Sequence, residues 1–254
     1  MTGLCLLPMI PVRSQPSQKS EMVNQLLFGD MYDIIQDDGN WLLIKSLCDD
    51  YNGWIDSEQS HNIMDDEAAL LKKQQVNFTR GPVDTMFCFD TNLRFQLSIG
   101  SVIYDKGMFE VGGRQFKFEG KVHEPQLTNQ VDDILFGALS CVNSPYLWGG
   151  KTIMGFDCSG FVQTIFRMNG KQLPRDASQQ ILCGSTVKFS DALEGDLAFF
   201  GKEGKTTHVG IISSNNSIIH CSGKVRIDEL TQQGIVHCKK KSLTHNLTEI
   251  RRII

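Results

Sequence analysis

The chain has 254 residues, 41% of them hydrophobic, and a formal net charge of −4. That length holds one large domain or two to three small ones. The mild acidity excludes a basic nucleic-acid footprint, and no apolar run reaches the roughly 18 residues of a spanning helix.

The opening, Met1 to Pro11, is apolar but lacks a basic start and is broken by prolines. It reads as a first strand over Gly3 to Arg13 and not as a signal peptide. The expected location is cytoplasmic, or periplasmic or secreted if a signal peptide has been removed. Short strands follow at Met31–Gln36, Trp41–Lys45 and Gly53–Asp56, with turn signals at Asp37-Asp38-Gly39-Asn40 and Asp49-Asp50-Tyr51-Asn52-Gly53. Strands this short with tight turns predict a small β-barrel over residues 1–60. Glu21 and Tyr51 are not required by the strand pattern and are free to line a surface.

Residues 61–125 begin with Asp65-Asp66-Glu67-Ala68-Ala69-Leu70-Leu71, a short helix or linker. Strand-like runs then recur between Met86 and Phe118, with hairpin turns expected at Asp105-Lys106-Gly107 and Gly112-Gly113. This reads as a second small barrel without a chemical motif. His61 and His123 stand alone as surface or structural histidines.

Residues 126–254 differ in character. Val131, Ile134, Leu135, Ala138 and Val142 recur at helical spacing, with Thr128 or Asn129 as cap. A Gly-rich loop, Trp148 to Gly155, leads into Phe156-Asp157-Cys158-Ser159-Gly160-Phe161-Val162. Cys158, Phe161, Val162 and Ile165 fall on one helix face, and Gly170 is a fitting stop. Cys158 therefore lies at a helix N-terminus, where free N–H groups and the macrodipole favour a thiolate. Strands are expected after Glu194-Gly195-Asp196, over Thr207–Ile212 and Ser217–Cys221, with Val225–Ile227 and Ile250–Ile254 completing the sheet. Helices followed by an antiparallel sheet give an α+β order.

One cysteine and two histidines, His208 and His220, are the parts of an activated thiol nucleophile. Their spacing of 12 constrains the hairpin between them. A plain two-residue turn puts the imidazoles on opposite faces, whereas an odd-length loop such as Ser213–Asn215, or a bulge, puts them on one face. An odd loop or a bulge is therefore predicted. The other cysteines, at 5, 48, 88, 141, 183, 221 and 238, show no CxxC spacing. They read as free thiols scattered through apolar stretches, not as a zinc site or disulfide set.

Several motifs, in order and spacing, resemble the NlpC/P60 family of bacterial cell-wall peptidases. They are Tyr146-x-Trp148-Gly149-Gly150, Asp157-Cys158-Ser159-Gly160-Phe161-Val162, Arg175-Asp176-x-Ser178-x-Gln180, Gly195-Asp196-Leu197-x-Phe199-Phe200, His208-Val209-Gly210-Ile211 and Ile219-His220-x-Ser222-Gly223. The run from Ser20 to Asp30, with Trp41 and Tyr51-Asn52-Gly53-Trp54-Ile55, resembles a bacterial SH3 domain. The resemblance implies a permuted papain-like catalytic domain over 126–254, preceded by two small SH3-like β-barrels over 1–60 and 61–125.

It implies Cys158 as nucleophile, His208 as base and then acid, and His220 as the group orienting His208. Tyr146 and the Cys158 N–H are candidate oxyanion donors. The thiol pKa is expected to fall on pairing with His208. The bond implied is the γ-D-glutamyl–L-diamino acid bond of murein peptides, cut by a dipeptidyl-peptidase VI type of enzyme that needs a free N-terminal L-Ala. Glu21, Tyr51 and Asp157 fit the ammonium group, and Ser159, Arg175 and Ser178 the D-Glu portion. The implied enzyme is a monomer without cofactor or metal. The rivals are a thiol amidase or acyltransferase on the same scaffold, and a wall-binding module with an inert last domain.

Overall fold

In the computed structural model, which describes residues 1–74, 76–125, 130–214 and 216–254, short strands build the first half of the chain. The chain divides into two compact units, Met1–Pro125 and Gln126–Ile254.

In the first unit, β1 (Thr2–Leu4), β2 (Met9–Arg13), β3 (Met22–Leu27), β4 (Met31–Asp37), β5 (Trp41–Ser46), β6 (Asn52–Asp56) and β7 (Asn62–Ile63) form one sheet. Its order is β3-β2-β6-β5-β4-β1-β7. Alternation buries Ile10, Val12, Leu42 and Ile44 on one face, against Leu26, Tyr32 and Ile55. The single strand expected over residues 3–13 is two, separated by a bend at Leu7-Pro8. The sheet also runs past residue 60, because β7 pairs with β1 and covers its edge.

After α1 (Asp65–Leu71) come β8 (Asn77–Thr79), β9 (Val83–Cys88), β10 (Leu93–Ser98), β11 (Val102–Ile103), β12 (Met108–Val111), β13 (Arg114–Phe118) and β14 (Val122–His123). They make two small sheets, β10-β9-β13-β12 and β11-β8-β14. Gly112 and Gly113 turn β12 into β13 with φ of 58° and 67°, as a hairpin of two left-handed residues requires. The turn expected at residues 105–107 joins strands of different sheets and is no hairpin. The two expected barrels share a core. Phe28 meets Phe95, Phe109 and Phe116 with ring centroids 5.8, 6.5 and 5.3 Å away. The Val102 N–H donates to the Phe28 carbonyl at 2.9 Å.

The second unit contains α2 (Gln130–Ser140), β15 (Lys151–Thr152), β16 (Gly155–Phe156), α3 (Cys158–Met168), α4 (Ala177–Gln180) and β17 (Ser185–Val187). β18 (Leu197–Lys202), β19 (Lys205–Ser214), β20 (Ser217–Ser222), β21 (Lys224–Thr231), β22 (Gly234–Val236) and β23 (Leu243–Arg252) follow. The sheet order is β17-β23-β18-β19-β20-β21-β22, and β22 also pairs with β23, closing six strands into a barrel. The helix α3 packs on β19 and β20. This is the α+β arrangement expected for a papain-like domain, with the cysteine on the helix and the histidines on the sheet. The caps expected for α2 at Thr128 or Asn129 lie outside the described residues. All eight cysteines are free. No helix among the described residues is long and apolar enough to cross a membrane.

Candidate active site

Asp157 starts α3. Its carboxylate accepts the Gly160 N–H at 2.7 Å, the usual N-cap bond. The helix begins against the glycine loop so closely that a Cβ on Gly160 would meet the Gly150 carbonyl oxygen at 2.2 Å. Every residue of α3 is buried, where the sequence suggested a single apolar face. The helix ends as expected at Gly170, φ 72°, with the Lys171 N–H returning to the Phe166 carbonyl.

Cys158, on the first turn, is 9% exposed. Hydrogen bonds from the backbone of Val209 and Ser159 reach its sulfur, so the thiol lies against the strand that carries His208. Burial pushes the thiol up to about 11 and the Asp157 charge adds to it, against the pull of those backbone groups and Arg175. This burial opposes the lowering expected from pairing with His208.

The hairpin β19–β20 has the predicted irregularity. Gly210 pairs with His220 and Ile212 with Ile218, but Ser214 pairs with Ser217. The shift is a bulge at Ser213, and it places His208 and His220 on one face, two positions apart. The alternative of a three-residue loop includes Asn215, which lies outside the described residues. Opposite His220 stands Gly210, where a Cβ would meet the His220 Cβ at 2.8 Å. Glycine there lets the His220 ring lean toward His208.

The result is a hydrogen-bonded chain. His208 Nε2 lies 2.9 Å from His220 Nδ1, and His220 Nε2 lies 3.1 Å from Asp228 Oδ2. Asp228 also accepts from Arg226 Nε at 2.8 Å and from the Cys238 N–H at 2.9 Å. Burial alone would raise the Asp228 pKa, but the bonds from His220, Cys238 and Arg226 hold it well below the usual carboxylate range.

Because that carboxylate only accepts, His220 Nε2 carries a proton. Neutral His220 then accepts at Nδ1, and His208 donates from Nε2. The lone pair of neutral His208 is thereby fixed on Nδ1, ready to act as a base. Burial holds His208 well below its ordinary range, with His220, His245 and Arg226 adding. His220 is lowered by burial, with Asp228 opposing. Burial thus favours the neutral form of both the Cys158 thiol and the His208 ring.

The sequence missed Asp228 and His245. Asp228 sits one residue beyond the strand expected over Val225–Ile227, and a carboxylate inside an apolar strand run was the available signal. His245, on β23, stacks on His208 with centroids 4.3 Å apart and planes at 26°. Nothing in the local sequence announces it.

Asp157 and Arg175, both expected to meet substrate, are bonded to each other. Asp157 Oδ1 accepts from Gly160 N, Ser159 Oγ and Arg175 Nη1, and Oδ2 from Gly149 N and Arg175 Nη2. These donors fill the roughly four lone-pair sites of a carboxylate. Arg175 is 2% exposed. The pair anchors α3 to the Gly149 loop.

Ser159 is buried in the same network, whereas Ser178 is exposed on α4. Tyr146 is half-buried, and burial followed by the charges of Cys158 and Asp157 pushes its phenol up to about 12. It stays protonated and able to donate. In the first unit, β3 and β6 flank β2 and run parallel to each other. Glu21 and Tyr51, which precede them, therefore reach the same end of the sheet. Glu21 is exposed and Tyr51 half-buried.

The side chains of Asp228, His237 and Cys238 bring potential metal donors within 4.8 Å of one another. The carboxylate is already engaged by His220, Arg226 and the Cys238 N–H. The cluster thus serves the histidine chain.

Known proteins are similar to this chain in sequence and fold. Residues 143–243 match the NlpC/P60 family, and residues 12–59 match the bacterial dipeptidyl-peptidase Sh3 domain. The chain is 29% identical to the γ-D-glutamyl-L-lysine dipeptidyl-peptidase of Bacillus subtilis (strain 168), over 77% of this chain and 71% of that protein. It is 25% identical to dipeptidyl-peptidase 6 of Lysinibacillus sphaericus, over 92% and 93% of the two chains. An NlpC/P60 family protein from Bacillus cereus ATCC 10987 shares the fold, with a TM-score of 0.84 at 17% identity, covering 100% of this chain and 99% of that one. The chain thus carries an NlpC/P60 cysteine-peptidase domain, preceded by a bacterial dipeptidyl-peptidase SH3 domain.

Proposed function

We propose that the protein hydrolyses the γ-D-glutamyl–L-diamino acid bond of murein-derived peptides with a free N-terminal L-Ala, releasing L-Ala-γ-D-Glu. The observation that carries this reading is the chain from Asp228 through His220 to His208, which leaves a basic Nδ1 on the ring beside the Cys158 strand contact. The relatives, a γ-D-glutamyl-L-lysine dipeptidyl-peptidase and dipeptidyl-peptidase 6, support the choice of bond.

The chemistry follows from the residues. Cys158 Sγ attacks the γ-carbonyl as His208 Nδ1 takes the thiol proton. The oxyanion accepts hydrogen bonds from the Cys158 N–H and the Tyr146 hydroxyl. The imidazolium is held by His220 and, beyond it, Asp228. It then protonates the leaving amine, and the C–N bond breaks to leave a thioester. His208 next takes a proton from water, whose oxygen attacks the thioester and frees the γ-carboxylate and the thiol.

Glu21 and Tyr51 are the residues proposed to select the free amine, through charge-assisted bonds. Asp157, first expected as a third partner, is assigned to holding α3, together with Arg175 and Ser159. Ser178 remains the proposed contact to D-Glu.

The test is hydrolysis of L-Ala-γ-D-Glu-meso-diaminopimelate and its L-Lys counterpart beside their N-acetylated twins. Cleavage of the free peptides alone, lost in Cys158→Ala, is expected. Glu21→Gln should raise KM for the free peptide about tenfold, within the range of one charged hydrogen bond. Equal cleavage of free and acetylated peptides overturns the amine selection, and no cleavage of either overturns the reaction.

A further inference from the structure

The mechanism above uses two histidines, but three meet in the second unit. His245 stacks on His208 at 4.3 Å, and lies edge-on to His220 at 5.9 Å and to Phe200 at 6.2 Å. Its place is set by the strand register. Phe199 pairs with Glu249, but Phe200 pairs with Leu247, so Thr248 is bulged. With a regular ladder Phe200 would face Thr248, and His245 would point to the opposite side of the sheet. The bulge turns it onto the face of Phe200 and His208. A further shift lies beside the same rings, between Phe200 and Gly201 in the β18–β19 pairing. Bulges gather next to active sites because they re-aim side chains.

We propose that His245 is a positioning residue of the peptidase: by stacking, it fixes the plane of the His208 ring and keeps water from its face. This rests on the catalytic role proposed for His208. Without His245, the His208 ring is held at one edge by His220 and at one side by Phe200, and its other face is open. A tilted ring loses the aim of Nδ1 at the sulfur and gains hydration.

His245 suits the place because it is aromatic and neutral when the enzyme works. Burial holds it down at about 4, with His220 and Arg226 adding and Asp228 opposing. A neutral π face accepts the imidazolium that forms on His208 during the reaction. Its outer side borders a cleft of about 480 Å³, lined by Lys202, Glu203, Lys205 and Thr207 among others. The charged groups around the stack are thus His208 on β19, His220 on β20, Arg226 and Asp228 on β21, and those cleft residues.

The experiment compares His245→Ala, His245→Gln and His245→Phe in the full chain, with thermal melts to show that each folds. Removing the stacked ring should lower kcat about tenfold with KM within twofold. It should also move the acid limb of kcat/KM upward, toward the ordinary imidazole value, because His208 becomes more hydrated. Phenylalanine should restore kcat to within about threefold and return the limb. Imidazole 15N NMR in the Cys158→Ala background reads the His208 titration directly, and its midpoint should rise in the alanine and glutamine variants but not in the phenylalanine one. This readout stands even if the wild type cuts no murein peptide, which is the failure of the functional reading. An unmoved His208 midpoint in folded His245→Ala and His245→Gln overturns the inference. So does a phenylalanine variant that titrates like alanine.

Discussion

Two buried polar clusters lie in the second unit, one around Cys158 in sequence and one beginning 50 residues after it, and they are built on opposite principles. In the Asp157–Arg175–Ser159 cluster every carboxylate lone pair is filled from within, by two backbone N–H groups, a hydroxyl and a bidentate guanidinium. In the Asp228–His220–His208 chain each member fixes the next, and the last ring ends in a lone pair on Nδ1. A filled network has nothing to give a substrate and acts on geometry. A chain that ends in an unshared lone pair passes its polarity on. The contrast lies in proton inventory, since both clusters pair a buried carboxylate with cationic or protonatable partners.

If the contrast holds, breaking the first cluster should show in stability and breaking the second in rate. The largest effect is expected for Arg175→Met. It strands the Asp157 carboxylate with its charge uncompensated, and breaking a buried pair costs about 3–5 kcal/mol. Urea unfolding should show that loss, with the midpoint falling and the slope unchanged. A variant with normal stability but a lost rate would reverse the assignment and return Arg175 to the substrate. Asp228→Asn is the counterpart. It keeps the shape but removes the obligate acceptor, so His220 no longer fixes its neighbour's tautomer. By analogy with buried triads, kcat should drop about 100-fold with KM within twofold. The stability loss should be smaller than for Arg175→Met, because Arg226 is partly exposed and can rehydrate.

The second cluster was half legible in the sequence and the internal bonding of the first was not, for physical reasons. Cys158, His208 and His220 are recognisable because each sits in a motif whose neighbours are also constrained, such as Gly210, which makes room for His220. Even the bulge at Ser213 follows from counting residues between two imidazoles that must share a face. Asp228 lies outside those motifs, on the next strand, and His245 comes two strands away from His208 through a bulge no local pattern marks. Asp157 shows the converse failure. An acidic residue beside a nucleophile suggested a ligand contact, but a position before a helix start serves equally as an N-cap, and the arginine that saturates it is 18 residues away. In the first unit the strands were readable from alternation, whereas the core shared through Phe28 depends on partners about 70 to 90 residues on, beyond the reach of local periodicity.

The smallest and sharpest separation of the two clusters is their response to pH. His208 and His220 are lowered by burial, so below the ordinary imidazole value of about 6.5 the unfolded chain binds protons that the folded chain refuses. Stability should therefore decline as pH falls from about 6.5, and decline more steeply below about 3.9, where an unfolded aspartate takes a proton that folded Asp228, depressed by its hydrogen bonds, still refuses. Activity needs neutral His208, so the acid limb of kcat/KM should lie below 6.5 and shift little with salt, since the ring is buried. The thiol gives the opposite limb. With Cys158 pushed up to about 11, its alkylation by iodoacetamide in the free enzyme should be slow at pH 7 and rise steadily through pH 9 and 10. Arg175→Met should leave the histidine-dependent acid limb in place, whereas Asp228→Asn should move it. A fast, pH-independent alkylation from pH 5 upward would mean that the resting enzyme holds a thiolate–imidazolium pair, and that the open end of the histidine chain is already filled by the Cys158 proton.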